Sequence, residues 1–240
     1  MQITSLNLKE FYDTIQGKVV QRILRQHIRH FWPDAKGQRV LGLGYAAPYL
    51  RGLMGEANRV INLTPATLGA VFWPPEDNSL TGVCHEAELP VETNSIDKII
   101  VVHTMDSPDS LDSVLSECWR VLMGQGRLLL ILPNRAGLWA RSDRTPFGFG
   151  TPYSMGQIRH ALKHHMFVPE GVERALFFPP TESRLMLATA TVWEKIGHRF
   201  FNAFGGVNVV EASKQLYAGT PVASQAALRR RIVVAAKPLS

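Results

Sequence analysis

The stretch "RVLGLGYAAPYLRGL", residues 39–53, runs from a short apolar segment through a glycine turn into a potential helix. In an open parallel sheet, ligands bind beyond the carboxyl ends of the strands, where glycine lets the backbone approach them. Gly42 and Gly44 end this predicted strand, in the spacing Gly-x-Gly-x-Ala-x-Pro. Strand-to-helix turns also use glycine for shape alone. The stretch by itself therefore predicts either a cofactor-binding loop or only a tight turn.

Strands and helices alternate after this stretch. The apolar runs "RVINLTP", "SLTGVC", "SIDKIIVV" and "GRLLLILP" predict strands, and "SPDSLDSVLSECWRVL" predicts a helix capped by Ser107. Short turns between such elements indicate right-handed βαβ units and a mainly parallel sheet. We expect a doubly wound α/β fold whose seven-stranded sheet is completed by "GVERALFFPP" and an antiparallel C-terminal strand, "GVNVVEASKQLYA".

The chain is expected to form one structural domain. Residues 1–37 predict a helical cap, residues 38–216 the α/β domain, and residues 217–240 a basic tail. An additional helix is predicted at about residues 182–204. Its apolar stripe contains Leu185, Ala188, Val192, Ile196 and Phe200. The stripe either covers the edge of the sheet or forms an interface for a partner protein or a second copy.

Length and composition favour a globular protein, because 240 residues with 45% hydrophobic side chains can bury a full core. No apolar run approaches the ~20 residues of a membrane span, and no signal-peptide pattern is present, so a cytoplasmic location is expected. Cys84 and Cys118 lack the spacing of a disulfide framework or a thiolate metal site. His160 and His164 share a helical face without a zinc signature, so no metal site is expected.

The formal charge of +6 is spread over the chain. Small basic clusters can bind nucleic acid or a membrane surface, or they form a solvated face. The residues after the fourth predicted strand, "HTMDSP", differ from the Asn-Pro-Pro-aromatic motif of enzymes that methylate amino groups of nucleic-acid bases. A DNA adenine or cytosine amino methylase is therefore not supported, and an RNA-directed enzyme, which only the basic charge favours, is the weaker alternative.

The order of these segments resembles the class I S-adenosylmethionine-dependent methyltransferases, especially the small-molecule group known as type 11. The resemblance covers residues 38–134. It includes an "LP-x-x-x-x-S-x-D" stretch before the fourth strand, formed by Leu89, Pro90, Ser95 and Asp97, and the segment "WRVLMGQGRLLL" at residues 119–130. The resemblance implies a Rossmann-like methyltransferase fold and S-adenosylmethionine as the cofactor.

The resemblance also implies the positions of the cofactor site. The implied cofactor-binding residues are Tyr12, Gly42, Gly44, Tyr45, Thr64, Pro65, Glu88, Leu89 and His103. His103 either acts as a base or closes the pocket floor, and Asp106 is a second candidate base. Gly42 and Thr64 stand where the family usually has acidic residues. Replacing a carboxylate by a neutral hydroxyl weakens ribose binding by roughly 1.5 to 3 kcal/mol.

A long loop, residues 134–153, is the candidate for acceptor binding. Its candidate residues are Asn134, Arg135, Trp139, Arg141, Arg144 and Phe147. The arginines suit an anionic group and the aromatic rings a flat apolar contact, although the loop can equally be a lid over the site. Two functions follow: a methyltransferase for a small or lipid-like acceptor, or an inactive methyltransferase-like scaffold that binds a partner through its C-terminal helix and Arg-rich loop.

Overall fold

The computed structural model describes residues 3–104 and 110–215 of the chain. This part contains seven strands and seven α-helices. Their bounds are α1 Ser5–Asp13, α2 Ile15–Phe31, β1 Arg39–Gly44, α3 Ala47–Leu50, β2 Arg59–Pro65, β3 Thr81–Cys84, β4 Ile96–Val102, α4 Ser110–Val121, β5 Leu122–Pro133, α5 Met155–His164, β6 Phe167–Ala175, α6 Arg184–Ala188, α7 Ala190–Phe200 and β7 Val207–Lys214.

The strands form one sheet in the order β3-β2-β1-β4-β5-β7-β6. The pairs from β3 to β5 are parallel, and β7 runs antiparallel to both of its neighbours. The predicted doubly wound fold with an antiparallel last strand is therefore confirmed. Strand order reverses between β1 and β4, which is where an open α/β sheet binds its ligands.

Both faces of the sheet are buried, which explains the nearly continuous apolar strands. Side chains alternate along each strand, so Val40 and Ile100 pack toward α1 and α2, whereas Leu41 and Ile99 pack toward α4 and α5. Gly42 and Gly44 share the face of Val40. The glycines of the first loop consequently lie on the side that the N-terminal helices cover.

Two predicted element boundaries are wrong. The sixth strand was expected at residues 171–180 but occupies Phe167–Ala175. It ends there because the next backbone groups bond to side chains. The N–H groups of Leu176 and Phe177 donate to the Glu194 carboxylate, and the Phe178 carbonyl accepts from Trp139 Nε1. These groups are therefore not available for hydrogen bonds between strands. The helix expected after the glycine turn shortens to α3, which is followed by turns.

The predicted helix at about residues 182–204 is two helices, α6 and α7, which meet at Thr189. Its apolar stripe faces solvent: Leu185 is 83% exposed and Phe200 is 70% exposed. This contradicts the interpretation that the stripe covers the sheet edge. The helix packs instead through Ala190 and Gly197. Among the described helices, none combines the length and apolar character that a membrane crossing requires.

The "LP-x-x-x-x-S-x-D" stretch is held by polar contacts to neighbouring elements. Arg120 on α4 donates to the carbonyl oxygens of Leu89 and Val91, each at 2.9 Å, and also to Glu117. The Leu89 N–H donates to Glu117 at 2.8 Å. Asp97 accepts from both the N–H and the guanidinium of Arg39, which joins the start of β4 to the start of β1.

We expect Arg120→Met to lower the free energy of unfolding by about 1 to 2 kcal/mol, because several hydrogen bonds from one charged group are lost together. Urea unfolding followed by circular dichroism measures the change. Arg127→Met is the control: Arg127 reaches two carboxylates only at 3.5 and 3.7 Å, so its loss should cost less than about 1 kcal/mol. Equal costs for both variants would contradict the role of Arg120.

Candidate functional site

A cavity of about 280 Å³ lies beside the carboxyl ends of β1 and β2. Helices α1 and α2 and the segment around Phe72 and Trp73 form its walls. The cavity is lined by four basic residues, Lys9, Lys18, Arg25 and Arg51, and by one carboxylate, Asp13. Its position at the reversal of strand order and its basic lining make it the leading candidate for a ligand site in the described part of the chain.

The polar floor of the cavity comes from β2. Asn62 and Thr64 stand two residues apart, so both side chains lie on the cavity side of the strand. Both residues are buried, and Asn62 Nδ2 donates to Thr64 Oγ1 at 3.3 Å. The Asn62 Oδ1 atom is buried without a hydrogen-bond partner among the described residues. An unpaired buried acceptor costs free energy, so this oxygen is a ready partner for a ligand donor.

No side chain fits at position 42. A Cβ atom added to Gly42 would lie 2.6 Å from Leu50 Cδ1, 2.7 Å from Ala46 Cβ and 2.8 Å from Asn62 Oδ1. The acidic residue usual at this position in the resembled family has no space here. Asn62 and Ala46 occupy its surroundings.

Gly44 is constrained by the neighbouring strand as well as by its expected closeness to a ligand. Its φ is +87°, and a Cβ atom would collide with the Val102 carbonyl oxygen. The N–H of Tyr45 donates to the same oxygen at 3.0 Å. The turn therefore needs glycine for conformation, whether or not a ligand is bound.

We expect Gly44→Ala to lower the free energy of unfolding by more than about 1 to 2 kcal/mol without any ligand, because both the positive φ and the collision oppose it. Thermal unfolding of the ligand-free protein measures this. The control is Gly55→Ala, where an added Cβ meets nothing within 4 Å. A Gly44→Ala protein as stable as the wild type would contradict this assignment.

An aromatic cluster occupies the space next to the cavity, between the ends of β1 and β4. The Tyr12 hydroxyl lies 2.7 Å from the Tyr49 hydroxyl and 2.8 Å from His103 Nε2. Tyr12 stacks on Tyr45 at 5.7 Å between ring centroids, and Phe147 lies 4.7 Å from the His103 ring. Burial raises the pKa of Tyr12 well above its usual value and that of Tyr45 to about 12. Both tyrosines are therefore neutral hydrogen-bonding groups.

His103 is electrically neutral at physiological pH. Burial lowers the pKa of its imidazole to about 3, and its φ of +53° turns the chain at the end of β4. A neutral imidazole with such a low pKa accepts hydrogen bonds but takes up a proton weakly. This disfavours His103 as a base, and its imidazole is instead a hydrogen-bond partner of Tyr12.

We expect the His103 ring to remain neutral from about pH 8 to pH 5. Because the folded-state pKa lies below the unfolded value, the unfolded chain takes up the proton first. The folded state consequently loses stability as pH falls below about 6.5. Between about pH 8 and pH 5, His103→Gln should therefore lose less stability than the wild type. NMR titration of the wild-type ring should show no midpoint in this pH range. A ring midpoint near pH 6 would refute the prediction.

The loop at residues 134–153 is anchored to the body of the domain. Trp139 is fully buried and donates from Nε1 to the Phe178 carbonyl at 2.7 Å. Phe147 is also buried, against Trp139 and His103. Asn134 Nδ2 donates to the carbonyl oxygens of Ala203 and Gly205. These three side chains are occupied by internal contacts.

The arginines of the loop are placed differently. Arg135, Arg141 and Arg144 are exposed. Arg135 lines a second cavity with Asp112, His160 and His164, away from β1 and β2. The structure therefore does not bring the predicted acceptor residues together around the first cavity.

The predicted cofactor residues divide into two groups. Tyr12, Tyr45 and Thr64 line the first cavity. Gly42 and Gly44 do not line it, but Gly42 is next to the lining residue Asn62. Pro65, Glu88, Leu89 and His103 are not among its lining residues. Leu89 packs on the opposite face of the sheet, and Glu88 is exposed. Asp106, the second candidate base, lies outside the described residues.

Sequence reasoning missed several residues of this site. Asn62 carried a usable signal, since it is a polar residue inside a buried strand, two positions before Thr64. Tyr49, Phe72 and Trp73 carried none, because only tertiary packing brings them to the site. His164 belongs with Asp112 and His165, whose ligand atoms lie within 4.8 Å of one another. His165 Nε2 is 2.9 Å from Asp112 Oδ1, which is an ion pair when the histidine is protonated.

Comparison with known proteins agrees with this geometry. Residues 41–130 match the family model described as "Methyltransferase domain". The fold matches the solved structure of an S-adenosylmethionine-dependent methyltransferase of Thermotoga maritima, described as a possible histamine N-methyltransferase. The TM-score is 0.61 at 14% identity, over 88% of this chain and 96% of that one. The chain therefore has the fold of these methyltransferases, and its central part matches their family model.

Two further solved structures have a similar fold. A putative methyltransferase of Haloferax volcanii, solved with the Trm112 methyltransferase activator, matches with TM-score 0.58 and 18% identity over 85% of this chain and 94% of that one. A phosphoethanolamine N-methyltransferase of Haemonchus contortus, solved with phosphomonomethylethanolamine and S-adenosylhomocysteine, matches with TM-score 0.52 and 17% identity over 78% and 51%. No curated protein matches the sequence of this chain.

Proposed function

We propose that this chain binds S-adenosylmethionine and transfers its methyl group to a small or lipid-like acceptor. The observation that carries the proposal is the buried Asn62 Oδ1 without a partner among the described residues, beside the Thr64 hydroxyl. A ribose carries two hydroxyl donors, and these two oxygens are neutral acceptors for them. They replace the single carboxylate usual in the superfamily.

The other walls of the cavity also fit a nucleoside. The rings of Phe72 and Trp73 suit a flat adenine, and the basic lining residues suit the carboxylate of the methionine part. When bound, S-adenosylmethionine would supply an electrophilic methyl group. The chain would then contribute binding and alignment, because methyl transfer from a sulfonium mainly needs an aligned nucleophile. In this proposal Tyr12, which lines the cavity and is hydrogen-bonded to His103, positions the acceptor as a neutral group.

An anionic acceptor is the class that the lining favours. Four basic residues and one carboxylate line the cavity, which opposes a cationic acceptor. Two structural relatives act on or bind phosphate-bearing molecules by their descriptions, namely phosphomonomethylethanolamine and geranyl diphosphate. These two compounds are therefore suitable first acceptor probes.

The test of cofactor binding is Thr64→Asp. The variant restores a carboxylate at the end of β2 and should raise affinity for S-adenosylhomocysteine by about ten- to a hundredfold, since a charge-assisted hydrogen bond contributes roughly 1.5 to 3 kcal/mol. Isothermal titration calorimetry measures it. Thr67→Asp, on an exposed turn outside the cavity lining, is the matched control. If neither wild type nor Thr64→Asp binds S-adenosylmethionine or S-adenosylhomocysteine, the proposal fails.

A second candidate is a binding protein that performs no methyl transfer. The aromatic cluster of Tyr12, His103 and Phe147 favours it, because these rings fill the space next to the loop after β1. Incubation with methyl-labelled S-adenosylmethionine and the two phosphate-bearing probes separates the candidates. Label transferred to a probe supports the enzyme. Tight cofactor binding without transfer to either probe favours the binding protein.

A further inference from the structure

Helices α6 and α7 and the turn that follows them carry an unusual concentration of exposed apolar side chains. Seven of the fifteen large exposed hydrophobic residues in the described part of the chain lie between residues 185 and 204. We call them the α6–α7 surface: Leu185, Val192, Trp193, Ile196, Phe200, Phe201 and Phe204. Clusters of this kind mark sites of association with another apolar surface.

The surface is presented by a helix that is firmly attached to the domain. Gly197 allows α7 to lie directly on the Phe177 ring, where any Cβ atom would collide. Ala190 is fully buried, and Glu194 accepts hydrogen bonds from the N–H groups of Leu176 and Phe177 at 3.1 and 2.7 Å. Helical geometry then places Val192, Ile196 and Phe200 on one exposed face, and Trp193 borders this face next to the anchoring residues.

The exposed charged residues of α6 and α7 are all basic. Arg184, Lys195 and Arg199 are exposed, and His198 lies beside them. Glu194 is the one acidic residue between positions 184 and 204, and it is bound to the backbone beneath the helix. Burial also raises the pKa of Glu194 to about 7, which further reduces its negative charge. The outer face therefore combines apolar and basic side chains.

The basic charge of the α6–α7 surface favours some binding partners of this surface over others. A second copy would bring its own basic residues against the first set, and like charges oppose that contact. The C-terminal segment, residues 217–240, contains Arg229, Arg230, Arg231 and Lys237 and no acidic residue, so its charge opposes it as an occupant in the same way. An anionic bilayer complements both properties, since amphipathic helices with aromatic residues and Lys or Arg lie in the membrane interface.

We propose that the α6–α7 surface docks this chain on an anionic phospholipid bilayer. The apolar side chains enter the boundary between headgroups and acyl chains, while Arg184, Lys195 and Arg199 contact lipid phosphates. Helix α6 packs against α2, which also contributes residues to the cavity lining. The proposal does not depend on methyl transfer.

Trp193 is a built-in probe for this docking. It is 40% exposed, whereas Trp32, Trp73 and Trp139 are buried and Trp119 is partly buried beneath Lys214. Vesicles of phosphatidylcholine with about one quarter phosphatidylserine should shift tryptophan emission to shorter wavelength, and brominated acyl chains should quench it. Trp193→Phe should still sediment with the vesicles but lose the shift and the quenching.

Variants separate the apolar and the charged contributions. Phe200→Ser with Phe204→Ser, and Lys195→Glu with Arg199→Glu, should each weaken vesicle binding by at least about tenfold. Leu6→Ser, at another exposed apolar side chain, and Arg59→Glu, at the start of β2, are the matched controls and should bind vesicles as the wild type does. Circular dichroism confirms that each variant is folded. Binding should also fall at high salt.

Three results would overturn the proposal. The first is absence of binding to the phosphatidylserine vesicles at low salt. The second is binding that the α6–α7 variants do not reduce, since it would then belong to another surface. The third is a dimer that light scattering detects in the wild type and that the Phe200 and Phe204 variant abolishes, which would make a second copy the occupant.

Discussion

The carbonyl oxygen of Val102 governs the arrangement of the site. It lies where a Cβ atom of Gly44 would have to stand and accepts the N–H of Tyr45, so β1 and β4 meet at a turn that only glycine fits comfortably. From this turn Tyr45 reaches both the cavity and Tyr12. His103, one residue after Val102, completes the contact with Tyr12. One backbone constraint thus sets the positions of the surrounding aromatic groups.

The polar groups of the site are neutral rather than charged. Gly42 and Thr64 stand at the usual acidic positions, and burial keeps the Tyr12 phenol and the His103 imidazole uncharged. The charged groups are instead found among the other residues that line the cavity, four of which are basic. At the position proposed for the ribose, such a site would offer only neutral hydrogen bonds, which are individually weaker than charge-assisted ones. Affinity for the cofactor is therefore the property on which the proposed activity depends.

On α7 the acidic and the basic side chains lie on different sides of the helix. Its carboxylate, Glu194, holds the helix to the backbone that follows β6, while the basic and apolar side chains remain outside. The helix is consequently anchored by a polar contact that is hidden from solvent. Its exposed face is free to combine with another surface, and the two faces of one short helix serve different purposes.

The sequence alone determined the sheet, because the local pattern of apolar residues predicts each buried strand and each amphipathic helix. It also indicated the loop after β1 and the position of Thr64. It did not reveal that Tyr49 and Trp73 belong to the site, that Trp139 is buried, or that the stripe of α7 faces solvent. A periodic pattern states that a face is apolar but not what covers it. Only the tertiary structure decided these points, since they depend on contacts between residues distant in the chain, such as Glu194 with Phe177 and Tyr12 with His103.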